Sequence, residues 1–315
     1  MLLLLAVLLV HVLHGQDWDG WLASALAEER LGHFPQAEAM LRKAIVAAAR
    51  TSENHRALAV IENNLGGVLV SQGRYVQAEK ILKRALAHFQ ADSGGGTDWT
   101  AALNHLATIY RERGRLRESE EAYRRVLTAR LASPETSKHQ IARSRANLAA
   151  LLLDRQRFDE ARELLDAALS SFPPSSGMDL DRGTILMNLA VLHTLQSDLK
   201  RARMRAEQGV SVLEALPVDH PALGKALLTL GCILMKDRLH EAAAERLAEA
   251  VRILRLGFAR HPIFVEALAA YAGALSKCGR QKEAKQARQE SASIRATDET
   301  HHTVNVSELR IEGKR

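Results

Sequence analysis

Small and large apolar residues recur along the chain three and four positions apart, which is the spacing of one face of an α-helix. A small residue marks the same point of this pattern seven times, at intervals of 41 or 42 residues. We call these positions the anchor residues: Ala37, Ala78, Ser119, Ala161, Ala202, Ala243 and Ala284. Such fixed spacing indicates stacked copies of one supersecondary unit.

Each anchor residue stands in the second of two predicted helices. Five residues before it lies a turn, and in four units this position is glycine, which can end a helix with positive φ. Twelve residues before the anchor lies another small residue, which allows the two helices to cross closely. The chain is therefore predicted to form seven helix-turn-helix units with 14 helices. The sixth unit matches least well, because Asp237-Arg238-Leu239 would fit the turn better with one residue deleted.

This pattern of small and large positions resembles the tetratricopeptide repeat. Units of about 41–42 residues, Asn-Leu-Ala at 147–149 and 188–190, and His-Pro at 220–221 and 261–262 are similar to the kinesin-light-chain type of that repeat. The resemblance covers roughly residues 20–296. It implies an all-α fold, a right-handed α-α superhelix (a TPR solenoid) with about seven helix-turn-helix repeats, which offers a long concave binding surface.

The ends of the chain differ from the repeats. Residues 1–13 are nearly all apolar, a length that is short for a membrane span and suits the core of a signal peptide, although no Lys or Arg precedes it. We predict a signal peptide or short N-terminal anchor over residues 1–16, the solenoid over 17–296 and a polar C-terminal tail over 297–315. The protein is then exported (periplasmic, envelope-associated or secreted), or cytoplasmic if the apolar run is not a functional signal.

The formal net charge of +6 raises the question of a nucleic-acid partner. Arginines are dense in the third unit, but Glu112, Glu118, Glu120 and Glu121 interleave with them, as on an ordinary solvated helical face. No aromatic platform for stacked bases lies beside them. No nucleic-acid partner is expected.

Motifs for catalysis or metal binding are not found. His240-Glu241 lacks the second His of a zinc helix, because residue 244 is Ala, and Gly94-Gly95-Gly96 lacks the Gly-Lys-Ser/Thr of a phosphate loop. His301-His302 has no supporting ligands at metal-site spacing. We expect no enzymatic activity, no cofactor and no metal.

The resemblance places the residues 18, 15, 14 and 11 positions before each anchor on the concave surface. Asn side chains there can donate and accept hydrogen bonds, and the resemblance implies that they hold the backbone of an extended peptide. Nearby charged and hydroxyl groups would read side chains or a carboxylate. The candidate groove residues are Asn63, Asn64, Asn104, His105, Thr108, Arg111, Arg143, Asn147, Asn188, Thr194, Lys225 and Lys236. The alternative is that an Asn in this place only bonds the adjacent helix or caps a loop.

The sequence therefore predicts a non-enzymatic scaffold that binds an extended peptide or partner protein, with an acidic peptide as the first hypothesis because the groove residues are polar to basic. It is predicted to be exported or at the cell envelope. The alternative is an intracellular adaptor or regulatory repeat protein with a mis-assigned start. A helical-repeat RNA binder is disfavoured by the repeat length and by the missing stacking residues.

Overall fold

The computed structural model describes residues 18–50, 55–91, 98–172, 179–216, 219–258 and 261–297. These ranges contain 14 α-helices and no β-strand, which confirms the all-α prediction. The predicted N-terminal segment 1–16 lies outside the described residues, as does the predicted tail beyond Thr297.

The helices form seven consecutive hairpins, repeats 1 to 7, each with a first and a second helix that pack on each other and on the neighbouring repeat. The first helices are α1 (Trp18–Arg30), α3 (His55–Ser71), α5 (Trp99–Glu112), α7 (Lys138–Asp154), α9 (Asp179–Leu195), α11 (Pro221–Lys236) and α13 (Pro262–Lys277). The second helices are α2 (Phe34–Ala48), α4 (Tyr75–Ala91), α6 (Leu116–Ala132), α8 (Phe158–Leu169), α10 (Leu199–Glu214), α12 (His240–Phe258) and α14 (Gln281–Thr297).

The turn inside every hairpin has the same backbone conformation. The residue five positions before each anchor has positive φ in all seven repeats, and its identity is Gly in four of them and Gln156, Ser197 or Arg238 in the others. Arg238, with φ of 60°, occupies this position in repeat 6 and His240 then begins the second helix. The expectation of a misfitting sixth turn was therefore wrong: the repeat is in register, and Arg238 adopts the left-handed conformation that glycine adopts elsewhere.

The anchor residues are fully buried where the two helices of a hairpin cross. Their partners are the small residues 12 positions earlier, and the spacing there is tight. A Cβ atom added to Gly66 would lie 2.3 Å from a methyl group of Leu82, and one added to Gly231 would lie 2.4 Å from Cγ of Leu247. The recurrence of small residues is thus a packing requirement of each hairpin.

The superhelix also contacts itself. The turn of repeat 1 lies against the beginning of α11, and the turn of repeat 2 lies against the beginning of α13. Phe34, at the start of α2, packs on Phe258 at the end of α12, with ring centroids 5.5 Å apart. One apolar cluster accordingly includes residues of both the first and the last repeats. We call this contact between repeats 1–2 and repeats 6–7 the seam.

Within the described ranges, none of the helices combines the length and the apolar character that crossing a membrane requires.

Candidate functional site

A cavity of about 240 Å³ opens on the concave surface of the second half of the chain. The first helices of four successive repeats, α7, α9, α11 and α13, supply most of its wall. Apolar side chains form the larger part of that wall, among them Leu153, Met187, Val191, Leu228 and Ile263. Polar and charged groups interrupt it at a few points, which is the usual composition of a ligand site.

The positions that the sequence pattern placed on the concave surface line this cavity. In repeat 5 the residues 18, 15, 14 and 11 positions before the anchor are Thr184, Met187, Asn188 and Val191, and all four contribute to the wall. In repeat 6 the same positions hold Lys225, Leu228, Thr229 and Cys232, and again all four contribute. The side chains at these positions project inward because each first helix presents the same face to the superhelix axis.

Four of the twelve candidate groove residues meet in the cavity: Asn188, Thr194, Lys225 and Lys236. The Asn188 side-chain amide donates to the carbonyl oxygen of Ala146 on the preceding first helix, at 3.4 Å. The Thr194 hydroxyl donates to the carbonyl oxygen of Ala190 in its own helix, at 2.8 Å. The remaining eight candidates lie in repeats 2 to 4, outside the cavity wall.

Lys225 is exposed to solvent inside the superhelix and yet surrounded by protein. This desolvation lowers the pKa of Lys225, while the charge of Glu112 acts in the opposite direction. Its Nζ atom lies 4.9 Å from the centroid of the Phe258 ring at the seam. Lys225 therefore connects the cavity wall with the seam.

Three asparagines of the candidate set form bonds within the solenoid. Asn147 on α7 donates to the side-chain oxygen of Asn104 on α5 at 3.0 Å, across the boundary between repeats 3 and 4. Asn64 donates to the carbonyl oxygen of Val60 in its own helix at 2.8 Å. These amides have the alternative role weighed for them, which is to bond the solenoid itself, and a peptide would have to use their remaining hydrogen-bonding capacity.

Both candidate arginines are ion-paired. Arg111 Nε lies 2.5 Å from a carboxylate oxygen of Asp154 on the next first helix. Arg143 donates through Nε and one terminal nitrogen to the two oxygens of Asp181, at 3.0 and 2.7 Å. The positive charge on this part of the concave surface is thus offset by neighbouring carboxylates, and Lys225 and Lys236 are the candidate cations that line the cavity.

The other three candidates are partly or fully enclosed. His105 packs on Gly67 of the preceding repeat, and burial, followed by the charges of Arg130 and Arg143, lowers the pKa of its imidazole to about 4. The Thr108 hydroxyl lies 2.8 Å from the hydroxyl of Tyr123. The side-chain oxygen of Asn63 is buried and has no hydrogen-bond partner within the described part of the chain.

The candidate set omitted several residues that line the cavity. Glu266 occupies in repeat 7 the position, 18 before the anchor, that Lys225 occupies in repeat 6. Thr184, Thr229 and Cys232 also stand at the four predicted positions. Position in the repeat was the sufficient signal, and the choice of basic and amide side chains among these positions was too narrow. Across the described ranges, no three His, Cys, Asp or Glu side chains are grouped so that they could hold a metal ion.

Two family profiles described as tetratricopeptide repeat match the sequence. One matches residues 20–91 and 99–173, and the other matches residues 146–210. No curated protein matches the sequence at a significant level.

Several solved structures are similar. A Rap protein complexed with Competence and Sporulation Factor has 12% identity and a TM-score of 0.65 over 89% of this chain and 77% of that chain. The apo form of the quorum sensor NprR from B. thuringiensis has 13% identity and a TM-score of 0.60, over 87% of this chain and 75% of that chain. The kinesin light chain TPR-like repeats of Podosopora anserina have 19% identity and a TM-score of 0.47, over 65% of this chain and 99% of that chain. At these identities the similarity concerns the fold.

Proposed function

Because the chain belongs to the tetratricopeptide repeat family, we propose that it is a non-enzymatic scaffold that binds an extended peptide of a partner protein in the cavity between α7 and α13. The observation that carries the proposal is the convergence of the four inward-facing positions of repeats 5 and 6 on one cavity. A solenoid offers its partners this concave face, and no second site of comparable enclosure competes for the role in the described ranges.

The wall of the cavity suggests the chemistry of the peptide. Met187, Val191 and Leu228 form a pocket for one apolar side chain. Asn188 stands beside it with an amide that suits a peptide backbone, and the ammonium groups of Lys225 and Lys236 suit a carboxylate. The ligand that fits best is a short extended peptide with an apolar anchor and an acidic side chain or C-terminal carboxylate next to it.

The solved relatives support a peptide ligand without identifying it. The Rap protein was solved with Competence and Sporulation Factor bound, and its fold extends over most of this chain. That similarity indicates that a solenoid of this kind can hold such a factor. The chemistry of the ligand proposed for this chain comes from its own cavity wall.

The first experiment fills the cavity. Thr229→Trp places an indole inside it, and Thr128→Trp on the exposed outer face of α6 is the matched control. An array of immobilised eight-residue peptides, each made with a free and an amidated C-terminus, is probed with wild type and both variants. We expect Thr229→Trp to lose the wild-type peptide signals and Thr128→Trp to keep them. Equal binding by all three proteins would contradict the proposed site.

The second experiment tests the groups that would read the peptide. Lys225→Glu should reverse the preference from acidic to basic peptides, and Lys225→Met should remove the preference without reversing it. The double variant Asn147→Ala, Asn188→Ala tests the amide contacts. Retention of wild-type binding by this double variant would show that the two asparagines serve only the solenoid.

We also propose that the protein is exported by the segment 1–16, on the strength of its apolar run. Cell fractionation and N-terminal sequencing of the mature protein test this proposal independently of peptide binding. An N-terminus near Gln16 in material from outside the cytoplasm is the expected result. Full-length protein found only in the cytoplasm would favour the intracellular adaptor instead.

A further inference from the structure

The seam is built twice from equivalent residues, one repeat apart. The turn glycine of repeat 1, Gly32, lies against His220 and Pro221 at the beginning of α11. The turn glycine of repeat 2, Gly73, lies against His261 and Pro262 at the beginning of α13. Both pairs join a repeat to the repeat five places further along the chain. The two His-Pro dipeptides of the sequence thus stand where the superhelix comes back on itself.

Both histidines hold the first turn of the helix that they precede. Nδ1 of His220 accepts a hydrogen bond from the backbone N–H of Ala222 at 3.1 Å, and Nδ1 of His261 accepts one from Ile263 at 3.0 Å. Each imidazole is 9% exposed. A protonated imidazole has no acceptor nitrogen, and its positive charge beside a helix N-terminus is unfavourable. The closed seam therefore requires both rings to be neutral.

We propose that the seam is an acid-sensitive latch that controls access to the peptide-binding cavity. Protonation of His220 and His261 would remove both caps, withdraw the rings from the opposing turns and separate repeats 1–2 from repeats 6–7. The connection to the cavity, which rests on the proposed function, is short. Ile263 follows Pro262 directly and lines the cavity, and Lys225 contacts both the cavity and Phe258 of the seam.

The surroundings of the two rings favour the neutral form. On its own helix, His220 faces Lys225; burial, followed by this positive charge, lowers the pKa of His220. The residue before it, Asp219, is ion-paired with Arg252 of α12.

His261 packs against the neutral rings of Phe258 from α12 and Tyr75 from α4. On the opposing turns, the charged groups next to the glycines are His33, which is bonded to Glu28, and Arg74, which is paired with Glu38. The carboxylates of Asp219, Glu28 and Glu38 thus already have cationic or histidine partners.

The direction of the effect follows from proton linkage. A histidine whose pKa is lowered in the closed form binds fewer protons there than in the open form. Closure is then fully favoured above the unperturbed pKa of about 6.5 and is weakened as the pH falls below that value. Acid should open the seam, and a return to neutral pH should close it.

Small-angle X-ray scattering at pH 7.5 and pH 5.0 tests the latch without any ligand. We expect the radius of gyration of the wild-type chain to increase at pH 5.0 while its helical circular dichroism is retained. The variant His220→Asn, His261→Asn keeps an acceptor at each helix start and cannot be protonated, so it should stay compact at both pH values. The matched control His55→Asn, His88→Asn removes two histidines outside the seam and should expand like wild type.

Hydrogen exchange supplies a second measurement. The amides of Ala222 and Ile263 should lose protection in wild type at pH 5.0, after correction for intrinsic exchange rates, and keep it in the His220→Asn, His261→Asn variant. A wild-type chain that stays compact at pH 5.0, or a double variant that expands as wild type does, would overturn the latch. The peptide array at pH 7.5 reports on the proposed function separately, because the seam is closed there in every variant.

Discussion

Arg113 donates from its guanidinium to the carboxylate of Glu79 at 2.8 Å, across the boundary between repeats 2 and 3. The glutamate stands one position after an anchor residue, and the same arrangement recurs in the flanking repeats. Glu38 pairs with Arg74 at 2.5 Å, and Glu120 pairs with Arg157 at 2.6 Å. Each of the three carboxylates is only 12 or 13% exposed. An ion-pair ladder thus joins repeats 1 to 4, where the sequence had indicated only a solvated face of mixed charge.

Glu79→Gln should weaken this ladder. Burial raises the pKa of Glu79, but bonds and charges from Lys83, Arg113 and Arg115 outweigh it and leave the pKa below its usual value. A lowered carboxyl pKa stabilises the fold above the unfolded-state value of about 4.3 and loses that contribution as the pH falls through the folded-state pKa. We expect the variant to lose about 1 kcal/mol at pH 7 and to show a smaller loss on acidification, as measured by urea unfolding at pH 7 and pH 3.5.

The matched control for this ladder is Glu118→Gln. Glu118 is 50% exposed and pairs with Arg115 three residues away on the same hairpin. It should change the urea midpoint little, because exposed pairs of this kind contribute little to stability. Equal effects of the two variants would show that the ladder does not join the repeats energetically.

The hairpins, their turns and the inward-facing positions could be predicted from the sequence, because each depends on contacts inside one repeat or between adjacent repeats. The spacing of Gly66 from Ala78 fixes a helix crossing within 12 residues, and the chain repeats that instruction seven times. The position of Asn188 relative to Ala202 likewise fixes which way it faces. Local periodicity carries this information without knowledge of the whole superhelix.

The seam and the charge pairing could not be predicted in the same way. The contact of Gly32 with Pro221 depends on the small rotation between successive repeats, added up over five of them, and no local pattern encodes that sum. The partner of Arg111 is Asp154, 43 residues later, and the choice among several nearby carboxylates depends on side-chain geometry. The basic groove was overestimated for this reason.

Gly32→Ala should be much more harmful than Gly279→Ala. Both glycines have φ of +77°, so both substitutions incur the strain of a left-handed residue, about 1–2 kcal/mol. A Cβ on Gly32 would also lie 2.4 Å from Cδ of Pro221, whereas one on Gly279 meets nothing within 4 Å. Thermal unfolding should rank the variants in that order, and only Gly32→Ala should increase the radius of gyration at pH 7.5. Equal destabilisation, or no expansion, would mean that the seam is not held closed by this contact.

Gly231→Ala tests the packing of the hairpin crossing. The added methyl group would lie 2.4 Å from Cγ of Leu247, which is fully buried, so overpacking of about 1–3 kcal/mol should exceed the gain in helix propensity of up to about 1 kcal/mol. Leu247→Ala removes the obstructing side chain and should itself cost about 2–5 kcal/mol. The double variant should be less destabilised than the sum of the two, as measured by urea unfolding. Strict additivity would show that the two side chains do not compete for the same space.

His105 should remain neutral well below the pH at which an ordinary imidazole is protonated. Its ring lies against Gly67, and burial together with Arg130 and Arg143 lowers its pKa to about 4. Because the folded-state pKa is below the unfolded-state value of about 6.5, this ring lowers stability progressively as the pH falls from 6.5 towards 4. The ring resonances of His105 in NMR spectra should titrate with a midpoint near 4, and His105→Gln should flatten that part of the stability profile. A midpoint near 6.5 would place the ring in open solvent and return His105 to the peptide-facing surface.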